Sequence, residues 1–251
     1  MSYLPSTSCG EVGKILHHIL NEVIPYKTDG TFVEVGANDG MTGSFTFNLG
    51  AIGWTGLNFE PVPRLFMMCC ANHKNNKNVK TLPFAIGESE DIVEIIDAGT
   101  LSTIDVNTYN AYKNIKGFSG QCVNNPRHQV HVKTLDSILD KNSISDIDVL
   151  IVDVEGYEEK VLAGFDVGRF SPTIIIIEIG DQHPDFINLP DIMERFARLR
   201  KYFVDNGYTL LLNDVVDNVY VRNSRFNELS EEFVNRMRSP ITFPQFVPKP
   251  A

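Results

Sequence analysis

Three carboxylates and a histidine stand at the ends of apolar runs, where side chains can meet a ligand. Asp153 and Glu155 belong to DVEG, 153–156, and follow the apolar run IDVLIV. Glu178 closes the next apolar run, PTIIIIE, and His183 follows in GDQHPD. On extended backbone Asp153 and Glu155, two residues apart, share one side. A neighbouring strand would bring Glu178 beside them. Crowded carboxylates raise one another's pKa, or they hold a divalent cation such as Mg²⁺. The chemistry within their reach is removal of a proton from a poor nucleophile such as an alcohol, directly or with a metal's help. His183 suits the same work near neutral pH. The plainer reading makes Glu155 a cap of the following helix, pairs Glu178 with a nearby cation, and leaves His183 as a turn residue before Pro184. His128 and His131 face opposite sides of an extended segment and share no ligand. His17 and His18 read as ordinary helix positions.

A second group sits in TFVEVGANDG, residues 31–40: a buried strand running into a turn with Gly36, Gly40 and Gly43. Gly36 lets backbone approach a ligand. The dinucleotide fingerprint requires glycine at position 38, where Asn38 stands, and this weakens a pyrophosphate reading. Glu60 ends the next strand, where an acid accepts hydrogen bonds from both ribose hydroxyls. Glu34 would repel a pyrophosphate. S-adenosylmethionine has no phosphate and carries a sulfonium cation, so an acidic turn containing Asn38 suits it better than NAD.

The elements that must position these residues follow from hydrophobic period and turn signals. Val12, Ile15, Leu16, Ile19 and Val23 form a helical stripe after capping-box spacing at Ser8–Glu11. Strands are expected at 31–36, 54–60, 78–86, 91–96, 130–132, 147–153 and 172–179. Helices are expected near 43–50, 63–73, 134–140, 157–163 and 192–203. Gly164 is placed to close the fourth of these, and Gly207 the fifth. YTLLLN (208–213) and VYVR (219–222) pair as an antiparallel hairpin. Alternation of helices with continuous Val/Ile/Leu strands demands a parallel sheet covered on both sides, a Rossmann-like α/β fold. The expected organisation is an N-terminal helical extension (1–29), one α/β domain (30–225) and a tail (226–251), whose first part holds one more helix. Residues 99–129 are polar and show no clear period, and read as an irregular insertion able to close as a lid. Its Tyr109, Tyr112 and Phe118 would stack on a sugar ring or pin the loop.

Several segments point to a family: VEVGANDG (33–40), FEP (59–61), AIG (85–87), VKTLDSIL (132–139), IDVLIVDVEGYEEKVLAGF (147–165) and PTIIIIE (172–178). In this order they resemble the FkbM-type methyltransferases, a branch of the class I S-adenosylmethionine-dependent fold, over roughly residues 30–222. The resemblance implies a seven-stranded sheet with an antiparallel last strand, and methyl transfer, mostly to hydroxyls of sugars, polyketides or related metabolites. Carried over by position, Glu34, Gly36, Ala37, Asn38 and Gly40 would hold the methionine end. Glu60, with Pro61 behind it, would hold the ribose, and Ala85 and Ile86 would flank the adenine. Asp153 is counted with both the cofactor and the chemistry. Two other functions stay open: an NAD-dependent oxidoreductase, and a non-catalytic nucleoside-binding module.

Composition bounds the rest. A chain of 251 residues with net charge −10 lacks the basic surface of a nucleic-acid binder. Cys9, Cys69, Cys70 and Cys122 show no CxxC pair, so structural zinc is not expected, and the adjacent pair reads as apolar helix filler. A reducing, cytoplasmic setting is expected, with no signal peptide and no membrane span. An exposed edge strand and the N-terminal helix could pair subunits.

Overall fold

Short runs of Val, Ile, Leu and Phe, most of them ended by glycine, proline or an acid, build the centre of the molecule. The computed structural model describes residues 2, 3, 6 and 11–238. Its strands and helices run α1 (Glu11–Val23), β1 (Thr31–Val35), α2 (Phe47–Ala51), β2 (Thr55–Phe59), α3 (Pro63–Asn72), β3 (Val79–Leu82), β4 (Ala85–Ile86), β5 (Asp91–Ile96), α4 (Val106–Tyr112), β6 (Arg127–Lys133), α5 (Leu135–Lys141), β7 (Val149–Val152), α6 (Glu158–Ala163), α7 (Val167–Phe170), β8 (Ile174–Glu178), α8 (Pro190–Asp205), β9 (Tyr208–Asn213), β10 (Asp217–Arg222), α9 (Asn223–Phe226) and α10 (Glu231–Arg238).

Seven strands form the main sheet in the order β3-β2-β1-β7-β8-β10-β9. The pairs from β3 to β8 are parallel, and β10 is antiparallel to both neighbours. The last strand in sequence is thus the antiparallel one, slotted between β8 and the edge strand β9. Alternation along each strand feeds two cores. Val33, Val35, Leu150, Val152, Ile175 and Ile177 face one cluster, and Phe32, Val149, Ile151, Ile174 and Ile176 face the other. With both faces covered, the strands read as continuous apolar runs. The α1 stripe, Val12, Leu16, Ile19 and Val23, is buried in the second cluster.

Four expectations are corrected. The single strand expected over 78–86 is two strands: β3 joins the main sheet, and β4 joins a three-stranded sheet ordered β4-β6-β5. Pro83 lies between them and cannot donate to a ladder. Residues 99–129 are not irregular: they hold α4, two 3-10 turns (Gly99–Leu101 and Ser119–Gln121) and the start of β6. Asp105 caps α4 by accepting from Asn107 N, and Tyr109, Tyr112 and Ile115 are buried in the main core. Their spacing of three was a helical signal masked by the surrounding asparagines. Gly164 does follow α6, but at φ −96° rather than in a left-handed cap. A Cβ there would lie 2.0 Å from the Gly87 carbonyl oxygen. Cys69 is buried filler as expected, whereas Cys70 is exposed. Ser8 of the capping box, Cys9 and the proline-rich end lie outside the described residues.

Candidate active site

The carboxyl ends of β1, β2 and β7 open into a cleft of about 1030 Å³, mouth included. Of the residues singled out from sequence, Glu34, Gly36, Ala37, Asn38, Glu60, Pro61, Ala85, Ile86, Asp153 and Glu155 line it. Gly36 has φ +91°, and a Cβ on it would lie 1.7 Å from the carbonyl oxygen of Asp153. The neighbouring strand therefore demands this glycine whatever the cleft holds, and Gly36 also lines the cleft. The amides of Gly36 and Ala37 both donate to Phe59 O at 3.0 Å. They are committed to the turn and do not offer themselves to a phosphate. Gly40 is corrected too. It does not line the cleft; its carbonyl accepts from His73 Nε2 at 2.8 Å, and a Cβ would meet Cys69 Sγ at 2.4 Å. It seats the turn on α3.

Glu60 fastens the turn from the other side. Its Oε2 accepts from Asn38 N at 2.9 Å and its Oε1 from Val62 N at 2.7 Å. The carboxylate keeps further lone pairs for hydroxyl donors. Glu34 accepts from Thr46 Oγ1 at 2.5 Å and from Ser44 Oγ at 3.1 Å, holding the loop after the turn. Burial pushes the pKa of Glu34 and of Glu60 up to about 7 from 4.5. Between these two values the folded state binds more protons than the unfolded one, so stability falls as pH rises through that window. The fall expected across the whole window is on the order of 3 kcal/mol for each carboxylate. Urea unfolding at pH 5.5 and pH 8.0 checks it: the lower pH should show the higher midpoint, and Glu34→Gln should narrow the difference. An equal or higher midpoint at pH 8.0 would contradict the sign.

At the far end of the cleft Asp153 follows β7, and Glu178 ends the parallel neighbour β8, with Val152 paired to Ile177. Asp153, Glu155 and Glu178 each present an oxygen, all within 4.8 Å of one another. The expected convergence is present, but not through strand alternation. Glu155 lies beyond β7 at φ +55°, and this left-handed turn returns its side chain to the cluster. The Tyr112 hydroxyl donates to Glu155 Oε2, and Thr103 Oγ1 donates to Glu155 O at 2.7 Å. Two more acids crowd in. Glu158 is 1% exposed and accepts from Gly156 N, and Asp217 stands opposite Glu178 in the antiparallel register. Burial, then mutual repulsion, raises the pKa of Asp153, Glu155, Glu178 and Asp217, that of Asp153 to about 7. No basic side chain lines the cleft among the described residues. His183 is not brought into the cleft. Its ring packs on Phe186 at 4.8 Å and on Phe118 at 5.8 Å.

Sequence reasoning missed Thr103, Tyr157, Glu158 and Asp217, and saw in Tyr112 only an aromatic of the insertion. The expected hairpin left Asp217 in its connection, whereas it is the first residue of β10 and pairs with Glu178.

Residues 34–210 match the family described as the Methyltransferase FkbM domain. The chain belongs to the FkbM methyltransferase family. The FkbM match takes in Glu34, Gly36, Glu60, Asp153 and Glu178 and stops before Asp217. No curated protein matches the chain. Among solved structures it is similar to the FkbM methyltransferase of Methylobacillus flagellatus, with 14% identity and a TM-score of 0.47 over 79% of this chain and 44% of that one. It thus spans less than half of that protein's length. It is also similar to precorrin-6y C5,15-methyltransferase from Geobacter metallireducens, with 10% identity and a TM-score of 0.44 over 86% and 92% of the two chains. A third similar structure is the fibrillarin pre-rRNA processing protein of Methanococcus jannaschii, with 16% identity and a TM-score of 0.44 over 88% and 77%. No helix among the described residues of this FkbM chain is long and apolar enough to cross a membrane.

Proposed function

We propose that this chain transfers a methyl group from S-adenosylmethionine to a hydroxyl of a sugar, glycan or related metabolite. One observation carries the reading. Glu60 is tied to the Gly36–Asn38 turn at one end of a cleft that is lined at the other by Asp153 and Glu155 and by no basic group, with Glu178 beside them just outside the lining. S-adenosylmethionine fits such a cleft, being a cation with a ribose and no phosphate. Gly36, Ala37 and Asn38 would border its methionine end, Glu60 and Pro61 its ribose, and Ala85 and Ile86 its adenine. NAD fits poorly, since the turn's first amides are already bonded to Phe59 O and its pyrophosphate would meet carboxylates. When bound, S-adenosylmethionine supplies an electrophilic methyl on sulfur.

The chain's own part is orientation, exclusion of water and removal of a proton. Phe84, Ile95 and Ile104 give the cleft apolar walls. Asp153, with its pKa near 7, is suited to take the hydroxyl proton at neutral pH. The three oxygens within 4.8 Å also fit Mg²⁺, which would add positive charge beside the hydroxyl. Millimolar Mg²⁺ is then expected to raise the thermal midpoint at pH 8, because an ion that binds only the folded state stabilises it. Glu178→Gln should remove the increase. A midpoint unmoved by Mg²⁺ would dismiss the metal.

The deciding experiment is calorimetry with S-adenosylmethionine and with NAD, followed by an acceptor screen using labelled S-adenosylmethionine with and without EDTA. Binding of the first compound alone and label on a hydroxyl are expected. Binding of NAD in preference would overturn the proposal.

A further inference from the structure

Glu155 is the one member of the carboxylate cluster on strained backbone. A non-glycine residue in the left-handed region costs roughly 1–2 kcal/mol and persists only where its surroundings enforce it. Those surroundings come from distant segments. Thr103, 1% exposed, donates its hydroxyl to the Glu155 carbonyl at 2.7 Å. Tyr112, 2% exposed, donates its hydroxyl to the carboxylate itself. The next residue, Gly156, has φ +102°, and its carbonyl accepts from Arg195 Nη1 at 3.1 Å. A Cβ at Gly156 would lie 2.3 Å from Thr108 Oγ1. The turn is therefore gripped between α4, the stretch after β5, and α8.

The grip is itself anchored. Arg195 Nη1 also donates to Asp105 Oδ2 and Thr108 Oγ1 at 3.0 Å, and Asp105 caps the helix that carries Tyr112. The Tyr112 ring sits edge-on to Phe118 at 5.1 Å and tilted against Phe186 at 6.1 Å. Burial beside acids drives the phenol's pKa up, so its hydroxyl stays a donor at any working pH. A donor locked by packing on a helix holds its acceptor more tightly than a loop residue would.

We infer that Tyr112, with Thr103, is a positioning residue that fixes the Glu155 carboxylate against Asp153 and Glu178, behind the wall that residues 99–104 give the cleft. The inference rests on the methyltransferase reading. It gives the aromatic of the insertion a task that needs no contact with a sugar ring.

Tyr112→Phe tests it, since the ring and its packing remain and only the hydroxyl goes. In crystals of this variant the Glu155 carboxylate should leave the cluster. Methyl transfer should fall about 10- to 100-fold in kcat, the range of lost supporting contacts, with the Kd for S-adenosylmethionine unchanged. In a Glu155→Gln background the same substitution should add nothing, because the two act as one unit. Tyr109→Phe is the control on the same helix. Its hydroxyl donates to Asn125 Oδ1 at 2.6 Å, and its loss should lower the thermal midpoint without moving kcat. Crystals of Tyr112→Phe with Glu155 in place, or losses that multiply across the two sites, would overturn the inference. Failure of the native protein to bind S-adenosylmethionine would overturn the methyltransferase reading instead, and the crystal comparison would still decide the role of Tyr112.

Discussion

Gly36→Ala is expected to destabilise the fold by about 2–5 kcal/mol and to abolish binding of S-adenosylmethionine. Two costs add. The added side chain meets φ +91°, which costs roughly 1–2 kcal/mol for an L-residue. It also meets the Asp153 carbonyl oxygen at 1.7 Å, an overlap of the overpacking kind that costs about 1–3 kcal/mol or more. A rotamer change cannot relieve this contact, because both partners are backbone or Cβ. Asp153 N donates to Val35 O at 3.0 Å, and β1 pairs with β7 through Val35 and Val152. The two strand ends must therefore part, and with them move the floor of the cleft, Asp153 and the Asn38–Glu60 bond. Denaturant unfolding and calorimetry measure the two effects separately. A Gly36→Ala protein within about 1 kcal/mol of the native stability and with native affinity would refute this account of the turn.

Asp153→Asn should lower methyl transfer by about 10²- to 10⁴-fold, the usual worth of a positioned proton acceptor, while the fold survives the isosteric change. The pH dependence follows from the raised pKa. Burial first, then repulsion by Glu158 and Glu34, holds the Asp153 carboxyl near 7. Below that value it is protonated and cannot accept a proton, so the rate should rise with pH through about 7 and level off above it. The Asp153→Asn protein should lose this limb along with the rate. Steady-state rates from pH 5.5 to 8.5 on an acceptor found by the screen provide the check. Residual activity within tenfold of native, with the same pH limb, would assign the proton to another group.

The positions that sequence made legible share a property: they lie where a strand ends. Gly36, Glu60, Asp153 and Glu178 each follow or close an apolar run, and a parallel sheet gathers such ends on one edge. Their meeting follows from the run lengths and the order of the strands. Gly40 and His183 show the limit. Both lie a few residues past a strand end, and local packing turns them away, Gly40 onto Cys69 and His73 of α3 and its cap, His183 onto Phe186. The direction in which a loop residue points is set by what lies beneath it, and spacing along the chain carries no record of that.

The sequence by itself determined the doubly covered sheet, the antiparallel last strand, the glycine turn with its distant acid, and the meeting of Asp153 with Glu178. All of these rest on periodicity, local turn chemistry and strand order, which are encoded within short windows. Only the tertiary structure decided that Gly36 exists for the Asp153 carbonyl, that Glu155 reaches the cluster through a left-handed turn, and that Tyr112, 43 residues away, holds it there. Asp217 opposite Glu178 and Arg195 on Gly156 belong to the same class. Each is a contact between segments remote in the chain, fixed by how helices and loops pack over the strand ends, and no local pattern of residues specifies such a meeting.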